Sequence, residues 1–368
     1  MHLAGITPSI FSGLGLRDAT DSFGFGESPH GRECLFLIDG LGANVLDTYG
    51  EHAPALSRLQ HFAPVQTAFP STTATSLTTL MTGELPGTHG MMGYTVRVPR
   101  SGGRVLNSLK WDERVDPYNW QPIPTLFERG KLAGIQVSHV AAKRYEKTGF
   151  TQAAFRGADY CGANGLPEMA DKAVASLKKT PSFTYVYVND LDVAGHRDGV
   201  GSDKWLAALR YVDHVAATLI ARLPRGTRIW VTADHGMINV NEQIILGSDN
   251  SLLTGISLIA GEPRARHLYL DDQHGDGSGA NDIAESWRQF FGDRVEIYTR
   301  EEAVAANLFG EFVSEAARDR MGDLIAIARG GLVLIDPARA NLEGAMVGHH
   351  GGTTDLETFV PLGMAVVK

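Results

Sequence analysis

Short apolar runs that end in acidic residues or glycine recur along the chain. CLFLIDGLG at 34–42 is one such run, and FTYVYVNDLD at 183–192 and TRIWVTADHG at 227–236 follow the same pattern. Continuous apolar runs of this length are typical of parallel strands buried on both faces. Between them, 166–179 and 203–223 carry apolar residues at helical spacing. The alternation predicts an α/β fold: a doubly wound, mainly parallel sheet with helices on both faces.

The stretch 241–345 differs from the rest of the chain, because its short predicted strands and helices form a set of their own. Its predicted strands lie at 267–272, 294–299, 323–329 and 332–336, and its predicted helices lie at 282–291 and 300–309. This stretch is expected to form a small α+β lobe. The lobe would be inserted into a catalytic core made of residues 1–240 and 346–368, before the last candidate metal-ligand motif.

PSTTATSLTTLMTG at 70–83 predicts a helix that is unusually rich in hydroxyl groups. Pro70 is typical of a helix start and Gly83 of a helix end, and the apolar residues between them share one face. Ser and Thr often cap helices, because their hydroxyls compete for backbone partners. A helix N-terminus also favours negative charge, which suits an alkoxide or a phosphoryl oxygen. We interpret one Thr as a candidate nucleophile and the others as capping residues.

Composition and charge argue against several classes of protein. The chain has 368 residues and a formal net charge of -9, so it lacks the basic character of a nucleic-acid-binding protein. Its two cysteines, Cys34 and Cys161, support neither a disulfide framework nor a thiolate zinc site. No apolar run is long enough for a membrane span, and the N-terminus lacks a signal-peptide pattern. We expect a cytoplasmic protein without a membrane or nucleic-acid partner; the oligomeric state is open.

Aspartate and histidine residues cluster at or near the predicted ends of the strands. They are Asp39, Asp192, His196, Asp234, His235 and His350. Ligands bind at the carboxyl ends of parallel strands, so these side chains are expected to meet there. Carboxylates and imidazoles together suit Zn²⁺, Mn²⁺ or Fe²⁺. Two cations about 4 Å apart can clamp the attacking and leaving oxygens of a phosphoryl group. The sequence therefore predicts two divalent metal ions, with zinc favoured.

With these motifs the chain resembles the alkaline phosphatase superfamily, and within it the type I phosphodiesterase and nucleotide pyrophosphatase group. The resemblance covers about residues 33–94, 183–240 and 345–362. In that family the nucleophile lies ten residues before the Gly of a Thr-Gly pair, which is Thr82-Gly83 in this chain. The resemblance therefore implies Thr73 as the catalytic nucleophile, with Thr72 as the alternative.

The resemblance also implies how the metal ligands divide between two sites. One site would consist of Asp39, Thr73, Asp234 and His235, and the other of Asp192, His196 and His350. The adjacent His349 is then expected to have a structural role around the second site.

The resemblance is less complete for the substrate contacts. Nucleotide-cleaving members place an aromatic residue directly after the nucleophile, where this chain has Ala74, and an Asn where it has Tyr94. A Tyr hydroxyl can still donate to a phosphoryl oxygen. Tyr187, five residues before Asp192, matches an aromatic wall of the family. Tyr94 and Tyr187 are candidate substrate-binding residues, and an irregular segment at 95–125 with Trp and Tyr residues is a weaker candidate.

The resemblance implies a two-metal hydrolase that cleaves phosphodiester or phosphoanhydride bonds of a small-molecule substrate through a covalent phosphothreonine. A phosphomonoesterase or phosphonoacetate hydrolase of the same superfamily is an alternative. A non-catalytic metal- or anion-binding protein on the same fold is another. No arginine lies between Thr73 and Arg97, so the second charge of a monoester lacks an obvious partner. We therefore expect diesters to be preferred.

Overall fold

A computed structural model describes residues 1–271 and 278–368. Its strands are β1 (Arg32–Ile38), β2 (Gln60–His61), β3 (Val65–Gln66), β4 (Thr95–Arg97), β5 (Val105–Asn107), β6 (Gln136–Ala142), β7 (Asp159–Ala163), β8 (Ser182–Val188), β9 (Arg228–Thr232), β10 (Ile238–Asn239), β11 (Glu242–Ile245), β12 (Ile256–Glu262), β13 (Ala265–Leu270), β14 (Val295–Thr299), β15 (Leu324–Ala328), β16 (Leu332–Ile335), β17 (Gly348–His349), β18 (Phe359–Val360) and β19 (Gly363–Val366).

The α-helices connect these strands and cover the sheets. They are α1 (Ile6–Gly13), α2 (Val45–Tyr49), α3 (Pro54–Ser57), α4 (Thr73–Thr82), α5 (Pro86–His89), α6 (Pro117–Trp120), α7 (Leu126–Leu132), α8 (Gly149–Ala154), α9 (Leu166–Ser176), α10 (Asp190–Asp198), α11 (Asp203–Arg222), α12 (Ser278–Phe291), α13 (Arg300–Ala305), α14 (Glu315–Arg320), α15 (Ala340–Glu343) and α16 (Asp355–Thr358). Among the helices of the described residues, none combines the length and apolar character that a membrane span requires.

Seven strands form the central sheet in the order β2-β19-β9-β1-β8-β6-β7. The five strands from β9 to β7 are parallel, and β19 and β2 extend one edge in antiparallel fashion. All of β9 and all but the first residue of β1 are buried. Since successive side chains point to opposite faces, both faces of the sheet are covered. The predicted doubly wound, mainly parallel fold is confirmed.

The position of β1 in the middle of the sheet determines where the site forms. β1 pairs with β8 on one side and β9 on the other, in register as far as Ile38 beside Val188 and Leu37 beside Thr232. The carboxyl ends of these three strands therefore lie next to one another. Residues that directly follow them meet at one edge of the sheet, where parallel sheets bind ligands.

Helix α4 begins after Thr72 and ends at Gly83, whose positive φ of 76° is readily adopted by glycine. The predicted helix is confirmed, but the interpretation of its remaining hydroxyls as N-terminal caps is wrong. The Thr72 side chain makes no capping hydrogen bond. Instead, Thr78 and Thr82 donate to carbonyls four residues back, each at 2.7 Å. The whole helix is buried, so its hydroxyls must find partners inside the protein.

A four-stranded antiparallel sheet, in the order β12-β13-β15-β14, forms the centre of the predicted lobe. Alternate residues of β15 face two different hydrophobic clusters. Leu324, Ala326 and Ala328 pack in a cluster with α12, whereas Ile325 and Ile327 join the main core. The lobe sheet thus lies between α12 and the main core. The small α+β lobe is confirmed as part of the fold, while its bounds at 241–345 stay a prediction.

Two of the strands predicted in the lobe differ in detail. The strand predicted at 332–336 exists as β16, but it pairs in parallel with β11 outside the four-stranded sheet. The strand predicted at 267–272 is β13, which ends at Leu270, and Asp272 lies outside the described residues.

The segment 95–125 is less irregular than predicted, because β4 and β5 form a hairpin and α6 follows. Trp120 is buried beneath the guanidinium of Arg320, 3.7 Å from its ring centroid. Tyr118 is exposed, and Trp111 packs against the main core. None of these three aromatic residues lines either of the two cavities beside the candidate nucleophile.

Candidate active site

The first predicted group of metal ligands lies at the ends of β1 and β9. Asp39 directly follows β1, and Asp234 and His235 follow β9. One ligand atom from each of these three residues lies within 4.8 Å of the others. His235 Nε2 is 3.3 Å from Asp39 Oδ1 and 3.5 Å from Asp234 Oδ2. Thr73 opens α4, and its Oγ1 lies 3.2 Å from the same nitrogen. All four residues predicted for this site are therefore together.

The second predicted group comes from α10 and from the segment after β17. Asp192 and His196 are four residues apart on α10, so they share one helical face, with His196 Nε2 3.4 Å from Asp192 Oδ1. His350 Nε2 lies 3.8 Å from the same oxygen. His235 also lies close to Asp192 and His350, and its ring stacks on that of His350 at 3.6 Å. The two groups are therefore adjacent, with His235 between them.

Each of the three candidate histidine ligands has its Nδ1 against a backbone carbonyl. The pairs are His196 with Gly348 at 2.8 Å, His235 with Gly236 at 2.9 Å and His350 with Ser71 at 2.9 Å. A carbonyl oxygen only accepts, so each Nδ1 carries the proton and each Nε2 presents a lone pair. Hydrogen bonds of this kind orient the histidines of metal sites. The Nε2 atoms are thus prepared to bind a cation.

Three carboxylate oxygens at the site are buried without a hydrogen-bond partner in the described residues: Asp39 Oδ1, Asp192 Oδ1 and Asp234 Oδ2. The other Asp39 oxygen accepts from the Tyr187 hydroxyl, and the other Asp234 oxygen accepts from two backbone amides. Burial and the neighbouring Asp234 and Asp192 carboxylates raise the pKa of Asp39 well above its ordinary value. A divalent cation would relieve this clustering of negative charge, and the carboxylate and imidazole donors fit one.

Gly40 permits the close approach of the two groups. Its φ of 77° lies in the left-handed region, and a Cβ at this position would lie 3.0 Å from the Cα of Asp192. A larger residue would therefore be strained, and it would push α10 away from the end of β1. The Asp39-Gly40 pair thus supplies both a carboxylate and the space that Asp192 needs.

Two cavities open beside Thr73. The first has a volume of about 120 Å³, and aromatic and apolar side chains dominate its lining, among them Phe150, Phe155 and Tyr187. The second has a volume of about 240 Å³ and contains Tyr94 in its lining. The structure therefore places the two predicted substrate contacts, Tyr187 and Tyr94, in different cavities. Thr73 lines both.

His349 lies beside His196, with ring centroids 6.0 Å apart, and lines the second cavity; its structural role stays a prediction. Its Nε2 lies 3.2 Å from the carbonyl oxygen of Glu343, which fixes the proton on that nitrogen. Burial lowers the pKa of His349 to about 3, so the ring is neutral at neutral pH.

Sequence reasoning missed several residues that line the cavities. Phe150 and Phe155 line the first cavity, and Arg339 and Glu262 line the second. Phe150, Phe155 and Arg339 do not stand at the end of a predicted strand, and Glu262, which ends β12, lies in a strand that the sequence did not predict. Only their residue types, aromatic or charged, could have drawn attention to them.

The sequence matches the type I phosphodiesterase / nucleotide pyrophosphatase family over residues 34–353. Phosphopentomutase of Tolumonas auensis is 35% identical over 150 residues, which cover 39% of this chain and 35% of that protein. Ectonucleotide pyrophosphatase/phosphodiesterase family member 1 of Rattus norvegicus is 24% identical over 225 residues, 55% of this chain and 24% of that protein. Venom phosphodiesterase of Naja atra is 25% identical over 235 residues, 58% of this chain and 27% of that protein. The matches thus span about a quarter to a third of these relatives.

Solved structures show the same fold. Murine ectonucleotide pyrophosphatase / phosphodiesterase 5 aligns with a TM-score of 0.71 at 16% identity, covering 90% of this chain and 87% of that one. An inactive threonine-to-alanine variant of the murine protein, in complex with AMP, aligns with a TM-score of 0.69 at 15% identity and the same coverage. Together with the family match, the fold leads to one assignment: the chain belongs to the type I phosphodiesterase / nucleotide pyrophosphatase family of the alkaline phosphatase superfamily.

Proposed function

We propose that the protein is a two-metal hydrolase of phosphodiester or phosphoanhydride bonds, with Thr73 as the nucleophile. The observation that carries this proposal is that Thr73 and the candidate metal ligands lie together at one edge of the central sheet. There the Thr73 hydroxyl faces His235 Nε2, and His235 in turn lies among Asp39, Asp234, Asp192 and His350, whose aspartates each carry a buried oxygen without a hydrogen-bond partner in the described residues. Membership of a hydrolase family supports the reaction type.

The residues present fit two divalent cations, with zinc favoured and manganese or iron also suited to the donors. Asp39, Thr73, Asp234 and His235 would hold one, and Asp192, His196 and His350 would hold the other. When bound, such cations lower the pKa of a coordinated hydroxyl and offset the charge of phosphoryl oxygens.

In the proposed reaction, the Thr73 hydroxyl loses its proton to solvent and Oγ1 forms a new O–P bond as the bond to the leaving alcohol or phosphate breaks. The leaving oxygen takes up a proton from solvent, so the step balances. Because Thr73 is the first residue of α4, free backbone amides at the start of that helix favour the negative phosphoryl oxygens. Water then cleaves the phosphothreonine, releasing the phosphoryl product and restoring the hydroxyl. The inactive threonine-to-alanine variant of the murine relative, which is in complex with AMP, supports a threonine nucleophile.

A substrate panel tests this proposal with the zinc-loaded protein. We expect bis-p-nitrophenyl phosphate or a nucleotide p-nitrophenyl ester to have a higher kcat/KM than p-nitrophenyl phosphate, and chelation to abolish turnover until zinc is returned. A monoester or phosphonoacetate turned over faster than every diester would favour the phosphomonoesterase or phosphonoacetate hydrolase alternative. No turnover of any ester, with metal still bound, would favour a metal- or anion-binding protein.

A second candidate function is a phosphopentomutase-like reaction, favoured by the 35% identity to such a protein over part of this chain. Phosphorus-31 NMR of a pentose phosphate incubated with the metal-loaded protein distinguishes the two reactions. A second pentose phosphate isomer without release of inorganic phosphate would favour the mutase, whereas free phosphate would favour hydrolysis.

A further inference from the structure

The second cavity beside Thr73 contains a positive charge that the motifs do not predict. Arg339 ends a 3-10 turn, Pro337–Arg339, between β16 and α15. Although it lies far from Thr73 along the chain, it lines the same cavity of about 240 Å³ as Thr73, His196 and His350. The fold therefore brings an arginine to the site where the sequence showed none near the nucleophile.

The guanidinium of Arg339 is only loosely engaged. Its Nε lies 3.4 Å from Glu343 Oε1, and its central carbon lies 5.8 Å from the ring centroid of Tyr94. Within residues 1–271 and 278–368 its side chain forms no hydrogen bond, and it is 29% exposed. An arginine offers five N–H donors, so most of those on Arg339 remain free for a ligand in the cavity.

Two glutamates line the same cavity, but together they balance the charge of Arg339 only in part. Glu343 already accepts from the buried guanidinium of Arg266. Glu262 is deeply buried, and burial raises its pKa to about 8, which leaves it mostly uncharged at neutral pH. Its Oε2 accepts from the Tyr94 amide at 3.0 Å, and its Oε1 has no hydrogen-bond partner among the residues that the structure describes. The cavity therefore offers a ligand a guanidinium held only by a single contact of 3.4 Å to a shared carboxylate, and a neutral carboxyl group beside it.

The first cavity differs in its chemistry. No lysine or arginine lines it in the described part of the chain, and Leu77, Phe150 and Phe155 contribute apolar and aromatic surface. Thr73 and Asp192 line both cavities. A phosphoryl group attacked by Thr73 would therefore have mainly apolar and aromatic surface beyond Asp39 and Asp192 on one side, and the guanidinium of Arg339 on the other.

Resting on the proposed function, we infer that Arg339 is a specificity-determining residue that binds an anionic group attached to the reacting phosphoryl group. The preferred substrates then carry an uncharged, apolar or aromatic group on one side and a second oxyanion on the other. A phosphoanhydride supplies that oxyanion as a phosphate, and a phosphonocarboxylate supplies it as a carboxylate. Both match the planar fork of a guanidinium.

Calorimetric binding to the zinc-loaded Thr73→Ala protein tests this inference without turnover. The probes are orthophosphate, pyrophosphate and phosphonoacetate, because the last two add one oxyanion to a phosphoryl group. Adding Arg339→Ala is expected to weaken pyrophosphate or phosphonoacetate binding by about 10- to 100-fold, the usual range for a charge-assisted hydrogen bond. Orthophosphate binding should change by less than about 3-fold, since it lacks the second oxyanion. Arg339→Lys should restore part of the loss.

Arg329→Ala is the matched control. It removes the same charge from an exposed pair with Glu296, outside both cavities, and should leave all three affinities unchanged. A larger loss for pyrophosphate identifies a phosphate as the preferred group, and a larger loss for phosphonoacetate identifies a carboxylate.

Equal weakening of all three probes by Arg339→Ala would overturn the inference, because Arg339 would then act on the phosphoryl group or on the shape of the site. Unchanged affinities, or no binding of any probe, would overturn it as well. Because the measurement is of binding, a protein that keeps Arg339-dependent binding but hydrolyses no ester would contradict the proposed function alone.

Discussion

The central sheet and the lobe reach the same site by different routes. Parallel strands deliver Asp39, Asp234 and His235 at their carboxyl ends, and α10 follows β8 with Asp192 and His196. The antiparallel lobe sheet has no such common edge, and it contributes individual side chains such as Glu262 at its margin. The difference indicates that the topology of the sheet brings the candidate metal ligands together, whereas packing of the lobe shapes the cavity around them.

The two regions are also joined in two different ways. Arg264 from the lobe donates to both carboxylate oxygens of Glu357 at 3.0 and 2.9 Å, and neither side chain is exposed. Arg100 and Asp319 form a contact of 3.0 Å at the surface, with side chains 87% and 52% exposed. The two ion pairs have similar distances but are expected to contribute differently to stability, because burial removes the solvent screening that weakens the exposed pair.

The largest effect is expected in the central region. Thr73→Ala removes the proposed nucleophile, so kcat/KM for a phosphodiester should fall by at least about 1000-fold. Zinc content, measured by atomic absorption, should remain largely intact because the aspartate and histidine donors are unchanged. Thr72→Ala is the neighbouring control, and its loss should stay within about 10-fold. A greater loss for Thr72→Ala would move the nucleophile to that residue.

Next in size is the buried connection between the regions. Arg264→Met leaves the Glu357 carboxylate buried without its cation, which should lower the free energy of unfolding by about 3–5 kcal/mol in urea titrations. Adding Glu357→Leu removes the unpaired charge and should recover much of the loss. If the single variant unfolded at the wild-type midpoint, this pair would not hold the lobe in place.

A smaller, pH-dependent effect is expected at Glu262. Burial raises its pKa from 4.5 in water to about 8, so the folded protein keeps a proton that the unfolded chain releases between these values. The stability contributed by this group is therefore present at low pH and is lost as pH rises through that window. The glutamine side chain of the Glu262→Gln variant cannot ionise. The decrease in the free energy of unfolding from about pH 5 to about pH 8 should therefore be smaller in this variant than in the wild type, by on the order of 2–4 kcal/mol.

The measurement is urea unfolding of both proteins at the two pH values, with matched zinc content. Identical pH dependence of wild type and Glu262→Gln would show that Glu262 is ionised in the folded protein. The cavity would then be more negative than we infer.

The smallest effect is expected for the surface contact between the regions. Arg100→Ala breaks the exposed pair with Asp319 and should change the free energy of unfolding by less than about 0.5 kcal/mol. Urea titration beside Arg264→Met makes the comparison direct. If Arg100→Ala lowered the free energy of unfolding as much as Arg264→Met does, solvent exposure would not explain the difference between the two ion pairs.

Local patterns in the chain were enough to predict the parallel sheet, helix α4 and the grouping of six aspartate and histidine side chains. The reason is physical: apolar periodicity specifies each element, and parallel strands place the residues that follow them at one edge. Asp39 and Asp234 could be predicted in this way because each lies directly after a strand or within two residues of its end.

Other features arise only when distant segments pack together. Three features depend on tertiary packing. Thr78 and Thr82 donate to carbonyls four residues back because their helix is buried. The two faces of β15 pack in different clusters, and His235 lies between the two groups of candidate ligands. The clearest case is Arg339, which lines the same cavity as Thr73 only because the chain comes back from the lobe to the central sheet at this point. Periodicity describes neighbours along the chain, so it carries no information about which charge will face a cavity across the fold.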